Sequence, residues 1–316
     1  MKIKILLLIA LLATFLFANN QKKIIYLTPD ISIPFWQIIA KGVKESSTNL
    51  TYDLEVFSSD NSSKKELQNT IKAIKAKPVG IVISPTNSSN CVTVLKLIKK
   101  ANIPVVIADI GTDGGEYLSY ISSDNFEGAY KLGKYLTNFM KQKNITESSV
   151  GIIAIPQKRE NGKLRTAGFM KALKEDSIKS ADMRQQVDFS SKETYFHTKD
   201  LLSSYPNMKV IWLQGSDKYK SALKAIKESK RKVYLLTFDA EPEFLELIPN
   251  GTIILAGMQQ PFLIGERAVK TLDSHLNKQY VQKNIQLSVL AISSENIDIK
   301  LEEIKRNVLG ISNEAK

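Results

Sequence analysis

The chain of 316 residues contains one cysteine, two histidines and two tryptophans. A single cysteine excludes an internal disulfide and any thiolate cluster for a metal. Cys91 lies in CVTVLKLI, a helical pattern with an apolar face, and reads as a buried thiol. His197 and His275 sit far apart on helical segments with no acid or thiol at metal-ligand spacing, so they read as surface or packed groups. No GxSxG, HExxH, P-loop or CxxC pattern occurs, and no paired carboxylates have a supporting context. No catalytic constellation is found, and no cofactor or metal is expected. The one glycine cluster, GTDGG at 111–115, precedes a strand instead of a helix and reads as a turn, not a phosphate cradle.

Long apolar runs are also missing, with one exception. Met1-Lys-Ile-Lys is followed by ILLLIALLATFLFA at 5–18, ending on the small residue Ala18. A basic start, an apolar run and a small residue form a secretory signal peptide, with cleavage expected after Ala18. The alternative is an uncleaved anchor, for which the run falls short of the usual ~20 residues. No cysteine stands at the cleavage point, which argues against a lipoprotein. The chain is therefore expected in the periplasm, stabilised by its core alone.

Acidic charge is the scarcer sign: 32 Asp and Glu against 44 Lys and Arg, a formal net charge of +12. Lysine supplies most of the excess and is scattered. KSALKAIKESKRK at 220–232 alternates it with apolar residues, as the wet face of an amphipathic helix does. No basic patch in a nucleic-acid fold is visible, so no nucleic acid is expected as a partner.

What is present is a regular alternation. Apolar, β-branched runs at 23–27, 53–57, 79–83, 103–108, 150–155, 209–213, 232–238 and 252–257 predict strands. Helical patterns fall between them at 35–48, 62–76, 88–101, 125–142, 162–175, 191–204, 217–229 and 261–276. Continuous apolar strands alternating with amphipathic helices mean parallel sheets covered on both faces. So many strands predict two similar α/β lobes, dividing near the polar join SYISSDN at 119–125. Ligands of open parallel sheets bind beyond the carboxyl ends of the strands. The segments there are Ile33-Pro-Phe-Trp36, Ser84-Pro-Thr86, Asp109-Ile110, Pro156-Gln-Lys-Arg159, Gln214-Gly-Ser-Asp217, Asp239-Ala-Glu241 and Gln259-Gln260. Acids, amides and aromatics recur at one edge.

IPFW, VISPTN, ANIPVVIAD, ISSDNFEGA, RTAGF, LTFDAEP and MQQPFLIG, in that order, resemble periplasmic sugar-binding proteins of the ribose/galactose type over about residues 23–298. The resemblance implies a type 1 periplasmic binding fold: two doubly wound parallel-sheet lobes joined by a three-crossing hinge. On that basis 19–123 with 260–288 form the first lobe, and 124–259 with 289–316 the second lobe and tail. It also implies a site. The ring-stacking pair falls on Phe35 and Trp36, the first-lobe acid on Asp109 and the second-lobe arginine on Arg165. A further aromatic falls on Phe189, the second-lobe acid on Asp239 and the crossing amide on Gln259. Asp124 and Asn125 are expected to cap the helix at 125–142 and shape the hinge. Lys158 and Arg159 read either as solvated or as further site cations. Four departures stand out. Ile33 and Ile110 occupy positions where ribose binders carry Asn and Arg, and Ser84 and Gly215 occupy positions where they carry Asn. A ribose ligand is therefore not expected; one with fewer hydroxyls, or a larger and less polar one, fits better.

The resemblance implies a monomeric, non-enzymatic receptor that captures a sugar-like molecule between its lobes for an ABC transporter permease. The alternative is a sensing subunit that docks on a membrane histidine kinase or chemoreceptor. A sugar-responsive repressor would need an N-terminal helix-turn-helix where the apolar run stands. An enzyme would need a nucleophile or metal in the cleft. The segment NIDIKLEEIKRN at 296–307 reads as a terminal helix packed on one lobe.

Overall fold

The computed structural model describes residues 22–145, 148–178 and 180–311; the expected signal segment at 1–18 lies outside them. Strands β1 (Lys23–Thr28), β2 (Asp53–Ser58), β3 (Gly80–Ile83), β4 (Val105–Ala108) and β5 (Ser119–Ser123) alternate with helices α1 (Pro34–Asn49), α2 (Ser63–Lys75) and α3 (Ser88–Lys100). The chain then crosses to α4 (Asn125–Gln142). From there it builds β6 (Val150–Ala154), α5 (Glu160–Glu175), β7 (Ser180–Gln185), α6 (Ser191–Ser204), β8 (Val210–Leu213), α7 (Tyr219–Glu228), β9 (Tyr234–Phe238), the short α8 (Phe244–Leu247) and β10 (Leu255–Met258). Helix α9 (Pro261–Leu276) and β11 (Asn284–Leu287) return to the first sheet, and β12 (Leu290–Ile292) joins the second. A short α10 (Leu301–Glu303) runs into a π-turn at Ile304–Val308.

The two six-stranded sheets repeat one order, β11-β5-β4-β3-β1-β2 and β12-β10-β9-β8-β6-β7. In each, the chain enters one strand in from the edge and then winds outward across the sheet, giving doubly wound lobes. The chain passes between the sheets three times: after β5, after β10 and between β11 and β12. The last passage breaks the symmetry, because β11 runs parallel to β5 while β12 runs antiparallel to β10.

Each sheet is buried on both faces. In the first lobe, Tyr26, Trp36, Ile39 and Val106 pack on one side and Ile25, Ile81, Leu95 and Ile107 on the other. Trp212 stacks on Phe169 in the second lobe with ring centroids 3.9 Å apart. Helices α1 and α9 touch through backbone: a Cβ on Gly265 would lie 2.2 Å from the Ile39 carbonyl oxygen, and one on Gly42 would lie 2.1 Å from that of Phe262. Only glycine permits that approach.

Three expectations need correction. Residues 119–123, read as a polar join, form the strand β5, whose Ser119, Ser122 and Ser123 are buried. Residues 180–185, SADMRQ, to which no strand is assigned from periodicity, form the edge strand β7 without an apolar alternation. The tail does not pack on one lobe. Ile304, Val308 and Leu309 enter the second-lobe core, while Arg306 Nη2 lies 2.7 Å from Glu266 on α9 and Asn307 donates to Gln260 at 2.8 Å.

Candidate functional site

The helices differ in how they begin. Ser62, Asn87, Asp124 and Ser190 cap α2, α3, α4 and α6 by accepting from the third backbone N–H of the helix. Helices α1, α5 and α9 have Ile33, Arg159 and Gln260 at that place, with no side-chain cap. Pro34 and Pro261 open α1 and α9 and fix the turn where an N–H would be unpaired anyway. Residues 29–33 carry the chain from β1 to Pro34, which puts Phe35 and Trp36 in the first turn of α1.

Between the lobes lies a cavity with about 540 Å³ of empty space, counting the part open to solvent. All seven expected residues line it: Phe35, Trp36 and Asp109 from the first lobe, Arg165, Phe189 and Asp239 from the second, and Gln259 from the crossing into α9. Phe35 and Trp36 meet edge to face, 4.9 Å between centroids at 86°. Trp36 is only 5% exposed and belongs at once to the cavity wall and to the first-lobe core; Phe35 is half-buried at its rim.

Asp109 and Asp239 follow β4 and β9 with φ of 66° and 69°, and Phe189 follows β7 with φ of 57°. These left-handed conformations are uncommon outside glycine and cluster at functional sites. Arg165 is locked by neighbours. Its Nε donates to Asn125 Oδ1 at 2.8 Å, its Nη1 to the Gln214 carbonyl at 2.8 Å, and Nη1 lies 3.5 Å from Asp239 Oδ2. The guanidinium also covers the Phe238 ring, 4.1 Å from its centroid. Asn125 thus does more than begin a helix; it orients the arginine. Gln259 Nε2 donates to Asp239 Oδ1 at 2.5 Å, leaving the Gln259 Oε1 buried and without a partner.

The lobes touch around this cavity. Asn161 Nδ2 donates to Asp109 Oδ2 at 3.3 Å, whereas Asp109 Oδ1 has no partner. Arg159 reaches across to the Thr86 carbonyl at 3.2 Å through Nε and to Asn61 Oδ1 at 3.1 Å through Nη2. It also lies 4.9 Å from the Phe189 ring centroid. Of the two readings for the loop cations, Arg159 is a buried wall residue and Lys158 is exposed.

Burial dominates the electrostatics. It pushes the Asp109 carboxyl up to about 7, Arg165 opposing and Asp239 reinforcing the shift. It likewise raises Asp239 against the pull of Arg165, and lifts Glu241 to about 7. The Arg159 guanidinium falls to about 10 for the same reason.

The wall contains residues beyond the expected set. Ser216, Asp217 and Glu241 line it and stood in the segments that follow β8 and β9, so the strand-end rule pointed at them. Gln186 follows β7, a strand the sequence did not reveal, and Asn161 sits in the first turn of α5. Of the four departures, Ile33 and Gly215 line the cavity, while Ile110 is core and Ser84 hydrogen-bonds the Tyr26 hydroxyl at 3.0 Å. Among the described residues, no group of three His, Cys, Asp or Glu could hold a metal ion.

Residues 24–279 match the family described as the periplasmic binding protein domain. The ribose import binding protein of Haemophilus influenzae is 29% identical over 285 residues, covering 87% of this chain and 93% of that one. The ribose import binding protein of Escherichia coli is 28% identical, covering 79% and 83%. A carbohydrate transporter solute-binding protein from Agrobacterium radiobacter, solved in complex with D-arabinose, has the same fold at 20% identity with a TM-score of 0.82, covering 92% of this chain and 99% of that one. With two doubly wound lobes, three crossings and a match over most of its length, the chain belongs to the periplasmic binding protein domain family.

Proposed function

We propose that the protein is an exported receptor that captures a sugar-like small molecule between its lobes and presents it to an ABC permease. One observation carries this reading: seven residues from six separated stretches of the sequence converge on one interlobe cavity. The ligand-binding role of those seven belongs to the proposal. Flat rings at Phe35, Trp36 and Phe189 suit the C–H faces of a sugar, and Asp109, Asp239, Arg165 and Gln259 suit its rim of hydroxyls. A hydroxyl left unmatched after closure costs about 1–3 kcal/mol, which gives such a site its discrimination. Ile33 and Gly215 remove polar partners from the wall, which favours a ligand other than ribose. Export rests on the residues at 1–18, and the family places relatives of this kind in the periplasm.

The test is a thermal-shift and calorimetry panel of monosaccharides, polyols and their amino derivatives, with nucleotides and divalent metals as controls, run on wild type, Trp36→Ala and Asp239→Asn. At 100-fold excess over Kd a true ligand adds about 2.7 kcal/mol of stability, a shift of several degrees. Both variants are expected to lose that gain. Equal gains in wild type and both variants would remove the site assignment, and responses confined to nucleotides or metals would remove the sugar-like class.

A further inference from the structure

The cavity is unevenly charged. Four carboxylates, Asp109, Asp217, Asp239 and Glu241, share its wall with two guanidiniums, Arg159 and Arg165. Both guanidiniums are anchored by the protein: Arg159 holds the Thr86 carbonyl and Asn61 through Nε and Nη2, and Arg165 holds Asn125, the Gln214 carbonyl and Asp239 through Nε and Nη1. Asp217 is paired with Lys218 at 2.6 Å. Glu241 is different. It is 8% exposed, accepts only the Ser216 hydroxyl at 2.8 Å, and has no Lys, Arg or His nitrogen within 4.0 Å among the described residues. The carboxylates of Asp217, Asp239 and Glu243 also act on it, Glu243 being paired with Lys220 at 2.7 Å.

A second observation points the same way. Asp109 and Gln259, each 1% exposed, line the cavity, and each keeps one side-chain oxygen, Oδ1 and Oε1, with no hydrogen-bond partner. The two fully buried wall atoms left without a partner are both acceptors. A neutral sugar hydroxyl both donates and accepts; an ammonium only donates and also carries the charge that Glu241 lacks.

We infer that the ligand is a small polyhydroxylated molecule bearing a protonated amino group, and that the Glu241–Ser216 side of the cavity seats this ammonium. The inference rests on the receptor reading above and narrows its ligand class. Burial of Glu241 beside other carboxylates raises its proton affinity, which an incoming cation reverses.

The experiment is isothermal calorimetry on the full mature chain with D-glucosamine and D-galactosamine, their neutral parents D-glucose and D-galactose, their N-acetyl derivatives, and putrescine. One amino sugar is expected to bind at least about tenfold more tightly than its neutral parent, with N-acetylation abolishing the preference. Glu241→Gln should collapse that ratio toward one. Neutral parents binding as tightly as the amines, or an unchanged ratio in Glu241→Gln, would overturn the inference. The N-acetyl comparison stands on wild type alone, should the variant fail to fold. Putrescine binding that depends on Glu241, with every sugar silent, would support the acidic seat and overturn the sugar-like reading. Silence from every probe would overturn both.

Discussion

Asp109 and Asp239 occupy equivalent places in the two lobes. Each follows the fourth strand its lobe contributes by β4 and β9 position, each adopts a left-handed backbone (φ 66° and 69°), and each donates its N–H at 2.9 Å to the neighbouring segment, at Ile121 and Gly257 respectively. The shared backbone turn carries both carboxyls into one cavity from opposite lobes.

Their burial has a pH signature. A carboxyl whose folded proton affinity exceeds its unfolded value stabilises the protonated form, so stability falls as pH rises through the interval between the two. For Asp109 that window runs from 3.8 to about 7; Glu241 has the same sign from 4.5 to about 7. The unliganded protein should lose urea stability from pH 4 toward pH 7, by up to about 4 kcal/mol from Asp109 at about 1.4 kcal/mol per pH unit. Asp109→Asn should flatten that part of the curve. Parallel curves for wild type and variant would refute it.

Removing Arg165 should be costly. Truncation to Ala leaves Asn125 Oδ1, the Gln214 carbonyl and the buried Asp239 carboxylate without their partner, a loss of about 3–5 kcal/mol. A double-mutant cycle with Asp239→Asn should recover part of this, since the uncompensated charge is then absent. Urea denaturation showing less than about 1 kcal/mol for the single variant would mean the network contributes little.

The contact of α1 with α9 should tolerate no side chain at Gly265. An added Cβ would stand 2.2 Å from the Ile39 carbonyl oxygen and 2.8 Å from the Val43 nitrogen, so Gly265→Ala should lower stability by about 1–3 kcal/mol despite its better helix propensity. Gly114→Ala, with nothing within 4 Å of the new atom, is the control and should be near neutral.

The tail should act through its apolar residues. Ile304 is fully buried in the second-lobe core, and its replacement by Ala should cost about 2–5 kcal/mol. Arg306→Ala, which removes an exposed contact with Glu266, should cost about 0–1 kcal/mol. Chemical denaturation of the two variants gives the comparison directly; equal effects would mean the tail is held by its charges.

Where apolar periodicity was strong, structure was legible early: VGIVI at 79–83 became β3 and ANIPVVIAD led into β4 and Asp109. Legibility failed at β5, β7, β11 and β12, whose sequences SYISS, SADMRQ, NIQL and LAI are polar or very short. Strands of that kind are specified by the neighbour they pair with. Arg159 was equally ambiguous, because its burial depends on Thr86 and Asn61 of the other lobe.

Local chemistry in the chain decided that Pro34 and Pro261 open helices, that Asp109 and Asp239 stand at strand ends, and that lysine-rich faces stay wet. Those outcomes depend on residues within a few positions of one another. Which carboxylate lacks a cation, which oxygen lacks a donor, and that the tail grips both lobes were decided only by the folded arrangement. Charge compensation and hydrogen-bond satisfaction are set by distances between atoms far apart in sequence, and only closure of the two lobes brings those atoms together.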